Sequence, residues 1–303
     1  MGRILIGVSS WSDRSLVESG FYPNEVKTPA GRLNYYSRNF PLAEIDASYH
    51  FFPTGRNLDL WLGNTPPGFI FDVKAFSLFT GHPTPYTSLP RSLREKYGDL
   101  IEHKRNVYSH HLPAEALDEL WQGFARTVEL IQSAGKLGAV FFQFPPWFHP
   151  GPESFDHIVE CRKRLSVFPL AVEFRAGSWF ADANRERTLG LLREHQTALV
   201  CVDEPQGFRS SVPPLADVTA PLGFIRFHGR NAENWERKGI SAEDRFNYLY
   251  AEDELREWVP KIRDMAEKTA ELHVIFKNKY RDYPATNARQ LSEMLGDSSP
   301  SPA

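Results

Sequence analysis

The stretch LAVEFRAGSWF, residues 170–180, alternates Val172 and Phe174 with Glu173 and Arg175 before Gly177 interrupts it. Strand side chains alternate between faces, so this reads as a strand with one apolar face and one face ending in an acid and a base. Seven other short runs have the same character: ILIGVS (4–9), LAEIDAS (42–48), FIFDVKA (69–75), GAVFFQF (138–144), ALVCVDE (198–204), GFIRFHG (223–229) and LHVIFKN (272–278). Helical patterns lie between them. In the clearest, 113–134, Pro113 suits a first turn and Leu117, Leu120, Trp121, Phe124, Val128 and Ile131 recur at three- and four-residue steps. Weaker stripes cover 155–165, 186–195 and 252–268. Eight strands alternating with helices predict a single α/β domain over 1–295, a TIM-type (β/α)8 parallel barrel. No GxGxxG or GxxxxGKS/T follows any run, so nothing specific supports a dinucleotide or P-loop fold. The long insertion after the third strand, 76–112, is rich in Pro, Arg, Lys, His and Tyr and is expected to be a long loop or lid. The polar end GDSSPSPA (296–303) is expected to be a disordered tail.

Parity sorts each run into a set that meets the outer helices and a set that fills the barrel. The outward set reads as apolar: Ile4, Ile6, Val8; Ile45, Ala47; Phe69, Phe71, Val73; Val140, Phe142; Val172, Phe174; Val200, Val202; Ile225, Phe227; Val274, Phe276. The inward set turns polar toward each C-terminal end, giving Ser9, Asp46, Ser48, Lys74, Gln143, Glu173, Arg175, Asp203, Arg226, His228 and Lys277. Barrel enzymes place their chemistry at that end. Three acids (Asp46, Glu173, Asp203) meet four fixed bases (Lys74, Arg175, Arg226, Lys277) and His228. A modest positive excess suits a small anion, which Arg grips through its planar fork. The competing reading is that the ions simply satisfy one another and fix strand register.

Hydrophobic residues make up 41% of the 303 positions and aromatics 13%, enough for a large core. With 35 basic and 38 acidic residues the net charge is -3, which disfavours nucleic acid or a membrane surface as partner. Cys161 and Cys201 have no metal or redox spacing and read as buried thiols in a reducing, cytoplasmic setting. The opening apolar run is too short for a signal peptide, and no run is long enough to span a membrane. His82, His103, His110 and His111 lack metal-ligand spacing. Trp11, Tyr49, Trp147 and Trp179 fall just past strand ends, either as stacking platforms or as plain core residues. FFQFPPWF (141–148) closes its strand as a wall beside the mouth or as hydrophobic packing.

GVSSWS at the start, FYP (21–23), LNYYSRNFPLAEIDASYHFFP (33–53), FDVKA (71–75), LGAVFFQFPPWF (137–148), AVEFRAGSW (171–179), RFHGR (226–230) and FKNKYRDYPATNA (276–288) together resemble the domain of unknown function 72, or YecE-like, family. The resemblance runs through nearly the whole chain in one order. It implies a TIM-type barrel and, the family having no established activity, no particular reaction. Its characteristic positions correspond to Trp11, Glu44, Lys74, Gln143, Pro145, Pro146, Glu173, Arg175, Trp179, Arg226, His228, Gly229, Asn278, Asn287 and Ala288. The chain departs from the family with Asp46 in place of Asn, His50 in place of Tyr, and Lys277-Asn278 in place of Asn-Asn. Asp46 and Lys277 then read as a compensating pair or as a changed ligand preference.

Three functions compete. The preferred one is an enzyme, whether hydrolase, lyase or isomerase, acting on a small phosphorylated or sugar-like anion with no metal or other cofactor. Glu173 and His228 serve as acid and base, and Lys74 as an electrophilic charge. Arg175 and Arg226 hold the anion, with Asp46, Gln143, Trp11, Asp203, Lys277, Asn278 and Trp179 completing the substrate site. Lys74 or Lys277 becomes a Schiff-base nucleophile if burial lowers its pKa. The second is a divalent-metal hydrolase or isomerase using Asp46, Glu173, Asp203 and His228 as ligands. The third is a non-catalytic metabolite or nucleic-acid binder using RSLREKYG (91–98) and HKRNVY (103–108).

Overall fold

A computed structural model of the chain describes residues 1–296. Eight parallel strands close a barrel: β1 (Arg3–Val8), β2 (Leu42–Ile45), β3 (Ile70–Lys74), β4 (Leu137–Gln143), β5 (Leu170–Glu173), β6 (Ala198–Asp203), β7 (Leu222–Phe227) and β8 (Glu271–Phe276). Each strand pairs with its neighbours in sequence, and β8 closes on β1. This is the TIM-type arrangement the alternating pattern predicts. The long helix Ala114–Ser133 buries Leu120, Trp121, Phe124, Val128 and Ile131 against the barrel. The stripe at 252–268 divides into Glu252–Arg256 and Val259–Lys268, because Pro260 fits only the first turn of a helix.

Paired residues of parallel strands point the same way, so register tests the predicted faces. Leu5 and Gly7 on β1 pair with His273 and Ile275 on β8, which pair with Phe224 and Arg226 on β7. On the other side Glu44 pairs with Asp72, Lys74 with Phe141, and Gln143 with Glu173. The inward set therefore stands on seven strands and fails on β6. There Val200 and Val202 pair with the inward Phe224 and Arg226, while Asp203 pairs with the outward Phe227. Val200 and Val202 face the interior, Asp203 faces the helices, and Glu204 takes the inward position.

The segment 76–112 is folded rather than a bare loop. A 3₁₀ turn (Ser77–Thr80), a two-residue ladder joining Thr84–Pro85 to Asn106–Val107, and the helix Arg91–Ile101 fill it. It carries its own apolar anchors: Leu89, Leu93, Ile101 and Val107 are buried, and Phe79 stacks on Trp121 at 3.7 Å. The expected tail lies outside the described residues except for Gly296, whose φ of 80° ends the last helix in a left-handed turn that glycine adopts without strain.

The lower half of the barrel is also ionic. His273 Nδ1 bonds Asp72 at 2.9 Å and its Nε2 bonds Glu271 at 2.8 Å, and Glu271 continues to Arg3. Burial alone would lower the imidazole, but Asp72 and Glu271 raise it to about 9. A bulge admits this pair: Gly138 and Ala139 of β4 oppose the single residue Asp72 of β3, and the Ala139 amide donates to Asp72 Oδ1. Gly138 sits in the bulge, where a Cβ would lie 2.5 Å from both Asp72 and His273. Because the pair needs a protonated His273, its contribution is complete below about pH 6.5 and fades as pH rises through about 9. Asp72→Asn should cost about 3–5 kcal/mol in urea unfolding at neutral pH. It should also flatten the alkaline fall in stability, and equal slopes in wild type and variant would contradict this assignment.

Candidate functional site

The centre of the upper barrel is a fully buried ion triad. Arg226 on β7 donates through Nε (3.1 Å) and Nη2 (2.8 and 2.9 Å) to Glu44 on β2, and through Nη1 to Glu173 on β5. Phe141 lies under the guanidinium at 4.9 Å. Glu173 also accepts from Gln143 at 2.5 Å, His228 Nε2 at 3.0 Å and Arg175 at 3.4 Å. Burial works to raise its carboxyl, but Arg226 and the other donors hold it well below the usual range. Glu173 is therefore a permanent anion, and Arg226 has both ends of its fork committed to carboxylates.

Lys74 Nζ bonds Asp46 at 2.9 Å and stands 4.5 Å over the Tyr49 ring. Lys279 bridges Asp13 (3.2 Å) and Asp46 (3.3 Å). The proposed compensation of Asp46 by Lys277 is thus replaced by compensation from Lys74 and Lys279. The Lys277 amine has no hydrogen bond or ion pair among the described residues, although the residue is only 6% exposed.

Around Glu173 lie groups whose hydrogen bonding is incomplete. His228 is wholly buried, and burial lowers it to about 3 against the pull of Glu173. A neutral imidazole beside a carboxylate must carry its proton on Nε2, which leaves Nδ1 as an acceptor with no partner. Glu204 accepts from the Val212 amide at 2.8 Å through Oε1, while Oε2 has no hydrogen bond and lies 3.7 Å from Arg175. Burial raises Glu204 to about 8. Arg175 packs 4.7 Å over the Trp235 ring, and neither its Nε nor the Trp235 Nε1 has a partner. Toward solvent, Tyr49 meets His82 at 5.3 Å and His82 meets Trp147 at 5.7 Å, with Trp147 60% exposed.

Four sequence-selected residues stand elsewhere. Asp203 accepts from Arg230 (2.8 and 2.9 Å), Tyr250 (2.8 Å) and Trp258 (2.7 Å) in the outer layer, where it is satisfied. Asn278 is one parity step from Lys277 and donates to Tyr248 O and Asn287 Oδ1 outside the barrel. Trp179 is fully buried, stacked 4.3 Å from Phe174 with its indole N–H on Phe148 O. Trp11 is buried against Trp61 and Phe71. Glu44, Glu204, Lys279 and Trp235 were missed as site residues. Glu44 shares parity with Asp46 and was legible on that ground, whereas Trp235 comes from a loop without periodicity.

A closed eight-stranded α/β barrel with ionic side chains converging on its C-terminal mouth defines a TIM-type barrel protein. Residues 5–303 match the family described as protein of unknown function DUF72, and the chain belongs to that family. It is 29% identical over 296 residues to UPF0759 protein YunF of Bacillus subtilis (strain 168), covering 96% of this chain and 94% of that protein. Solved structures agree. The DUF72 family protein EF0366 of Enterococcus faecalis V583 superposes with a TM-score of 0.78 at 26% identity, covering 97% of this chain and 95% of that one. The DUF72 family protein TM1631 of Thermotoga maritima MSB8 gives 0.73 at 29% identity, covering 97% and 99%.

The two arginines should respond differently to truncation. Arg226→Met leaves Glu44 and Glu173 buried without their cation and should cost about 3–5 kcal/mol in urea unfolding. Arg175→Met breaks only the long contacts at 3.4 and 3.7 Å and leaves Glu173 paired with Arg226, so it should cost about 1 kcal/mol. Equal losses would mean that Arg175 is as structural as Arg226.

Proposed function

We propose that the protein is an enzyme acting on a small anionic compound at this mouth, with His228 as general base, Glu204 as general acid and Arg175 as the anchor for the anion. One observation carries the reading. Of the six enclosed side-chain atoms without partners among the described residues, four, Arg175 Nε, Glu204 Oε2, His228 Nδ1 and Trp235 Nε1, gather in one sector around Glu173, and only Arg32 Nε and Asn278 Oδ1 lie elsewhere. Enclosed polar atoms nearly always have partners, so a cluster of exceptions marks a place made for polar ligand atoms.

The pKa values support acid–base work. His228 is unprotonated and Glu204 protonated across the neutral range, the separation of acid and base that environment alone can create. The acid role expected of Glu173 passes to Glu204. Glu173 fixes the His228 tautomer and faces the imidazolium that forms when His228 takes a proton. The anion-holding role expected of Arg226 falls to Arg175 alone. Taking Glu204 and Lys277 as neutral, Lys74, Lys279, Arg175 and Arg226 balance Asp13, Glu44, Asp46 and Glu173, so the pull on an anion comes from Arg175, whose pairs at 3.4 and 3.7 Å are loose. Trp147 at the rim supplies an exposed ring face for a sugar-like portion.

The competing readings have less behind them. Of the four donors considered for a divalent metal, Asp203 faces outward and Asp46 is held by two lysines, and no group of three His, Cys, Asp or Glu side chains is arranged to hold a metal ion among the described residues. The basic stretch 91–98 lies on a helix where Arg91 pairs with Glu95 of the same helix and Lys96 with Glu119 of the helix Ala114–Ser133, so two of its bases are answered by acids.

Thermal shift against phosphates, carboxylates and phosphorylated sugars tests the pocket. Binding raises the midpoint, and Arg175→Met should abolish the rise while folding normally. With a substrate in hand, activity should fall as pH rises through about 8, where Glu204 loses its proton. Glu204→Gln should lower kcat by about 10²–10⁴-fold. A flat profile through that range would remove Glu204 from the mechanism.

A further inference from the structure

The mouth holds a basic group that acid–base work at Glu204 and His228 leaves unused. Lys277 follows β8 directly, its amide bonded to Phe227 O at 2.8 Å, so strand parity aims its side chain inward with His273 and Ile275. Every other cation of the mouth has a carboxylate: Lys74 has Asp46, Lys279 has Asp13 and Asp46, Arg226 has Glu44 and Glu173, and Arg175 has Glu173 and Glu204. Among the described residues the Lys277 amine has none within 4.0 Å and no hydrogen bond. Lys277 keeps 6% of its surface open, and its Nζ stands 5.8 Å over the Phe246 ring, which lies 6.0 Å from the His228 ring.

Resting on the reading of the mouth as an enzyme site, we infer that Lys277 is a nucleophile that forms a Schiff base with the carbonyl carbon of an anionic oxo compound, such as an oxo acid or the open form of a phosphorylated sugar. An amine needs two things for this role, a free lone pair and access to substrate. Access follows from its position. The lone pair follows from its surroundings: burial is the largest influence, and Lys74 on β3 and Arg226 on β7 add like charge. Glu44 on β2 and Asp46 just after it oppose them, but both are already committed to other cations. The net result holds the amine well below its usual range, and like-charge neighbours are an established way to activate a lysine. Lys74 is ruled out by the same comparison, since an ammonium bonded to Asp46 at 2.9 Å has no lone pair to offer.

The step balances with the groups present. The Lys277 lone pair forms the C–N bond as the carbonyl π pair moves to oxygen. The nitrogen loses one proton and the oxygen gains one, giving a carbinolamine. A second proton, available from the Glu204 carboxylic acid, lets the hydroxyl leave as water and yields the protonated imine. No electrons are gained or lost. The iminium then draws electrons from the adjacent carbon, where His228 serves as base, while Arg175 holds the substrate's anionic group.

Reductive trapping decides the matter. The full chain is incubated at neutral pH with sodium cyanoborohydride and, separately, formaldehyde, glyoxylate, pyruvate or glyceraldehyde 3-phosphate, then digested and mapped by mass spectrometry. Each pKa unit of lowering raises the free-amine fraction about tenfold. Lys277 should therefore be modified at least about tenfold faster than surface lysines, by formaldehyde and by at least one of the anionic compounds. Lys277→Met, which puts a neutral side chain of similar length in the same place, should lose that adduct while keeping the wild-type melting midpoint and the anion-induced thermal shift. Formaldehyde labelling spread evenly over surface lysines, labelling at Lys74, or no anionic adduct at Lys277 overturns the inference. If anions still raise the melting midpoint, the acid–base reading of the pocket survives that failure. If no anion does and Arg175→Met changes nothing, the reading beneath it fails as well.

Discussion

Arg226 is the constraint on which the upper barrel depends. One guanidinium, wholly withdrawn from water, joins carboxylates from strands on opposite sides of the ring. An isolated buried ion is so costly that none of the three side chains is tolerable alone. Together they fix the positions of β2, β5 and β7 relative to one another, because a bidentate fork accepts little change in angle. The pair also joins residues 182 apart in sequence, so it forms only when the ring has closed. An ion pair of this kind is weak evidence for stability but strong evidence for a single arrangement.

The rest of the interior follows from which charges this arrangement consumes. Below it, Asp72, His273 and Glu271 form a closed set whose donors and acceptors are all matched. Above it, Glu173 has four donors and cannot take another role. The groups left over are those held by one contact or none: His228 through Nε2 only, Glu204 through one oxygen, Arg175 at 3.4 and 3.7 Å, and Lys277. Reactivity at the mouth is thus a remainder, set by which side chains the structural pairs leave free.

The sequence carried the barrel because its eight runs are separated by helical stripes and seven have one clearly apolar parity. The eighth, ALVCVDE, is apolar at both parities and ends in two consecutive acids, so alternation could not choose between Asp203 and Glu204. Only pairing with β7 decides it, since Val202 lies beside Arg226. Trp11 and Trp179 were ambiguous for a related reason: past a strand's end there is no parity, and their burial comes from Phe71, Phe174 and neighbouring helices. Asp72 and His273 share parity with Lys74 and Lys277, so their inward direction was available from the sequence. Their mutual pairing was not, because it depends on the β4 bulge and on the missing side chain of Gly138.

The unpaired atoms bear on stability as well as on chemistry. A buried polar group without a partner costs about 1–3 kcal/mol. A whole domain is stable by only about 5–15 kcal/mol. Four such atoms in one sector therefore form a disadvantage comparable to the entire margin of folding, and a purely structural barrel could relieve it with apolar side chains of similar size. The lower barrel shows that the same chain can match its interior ions completely. A mouth left incompletely matched beside a fully matched floor is hard to account for as packing. It is readily accounted for if the missing partners belong to a molecule that enters, reacts and departs.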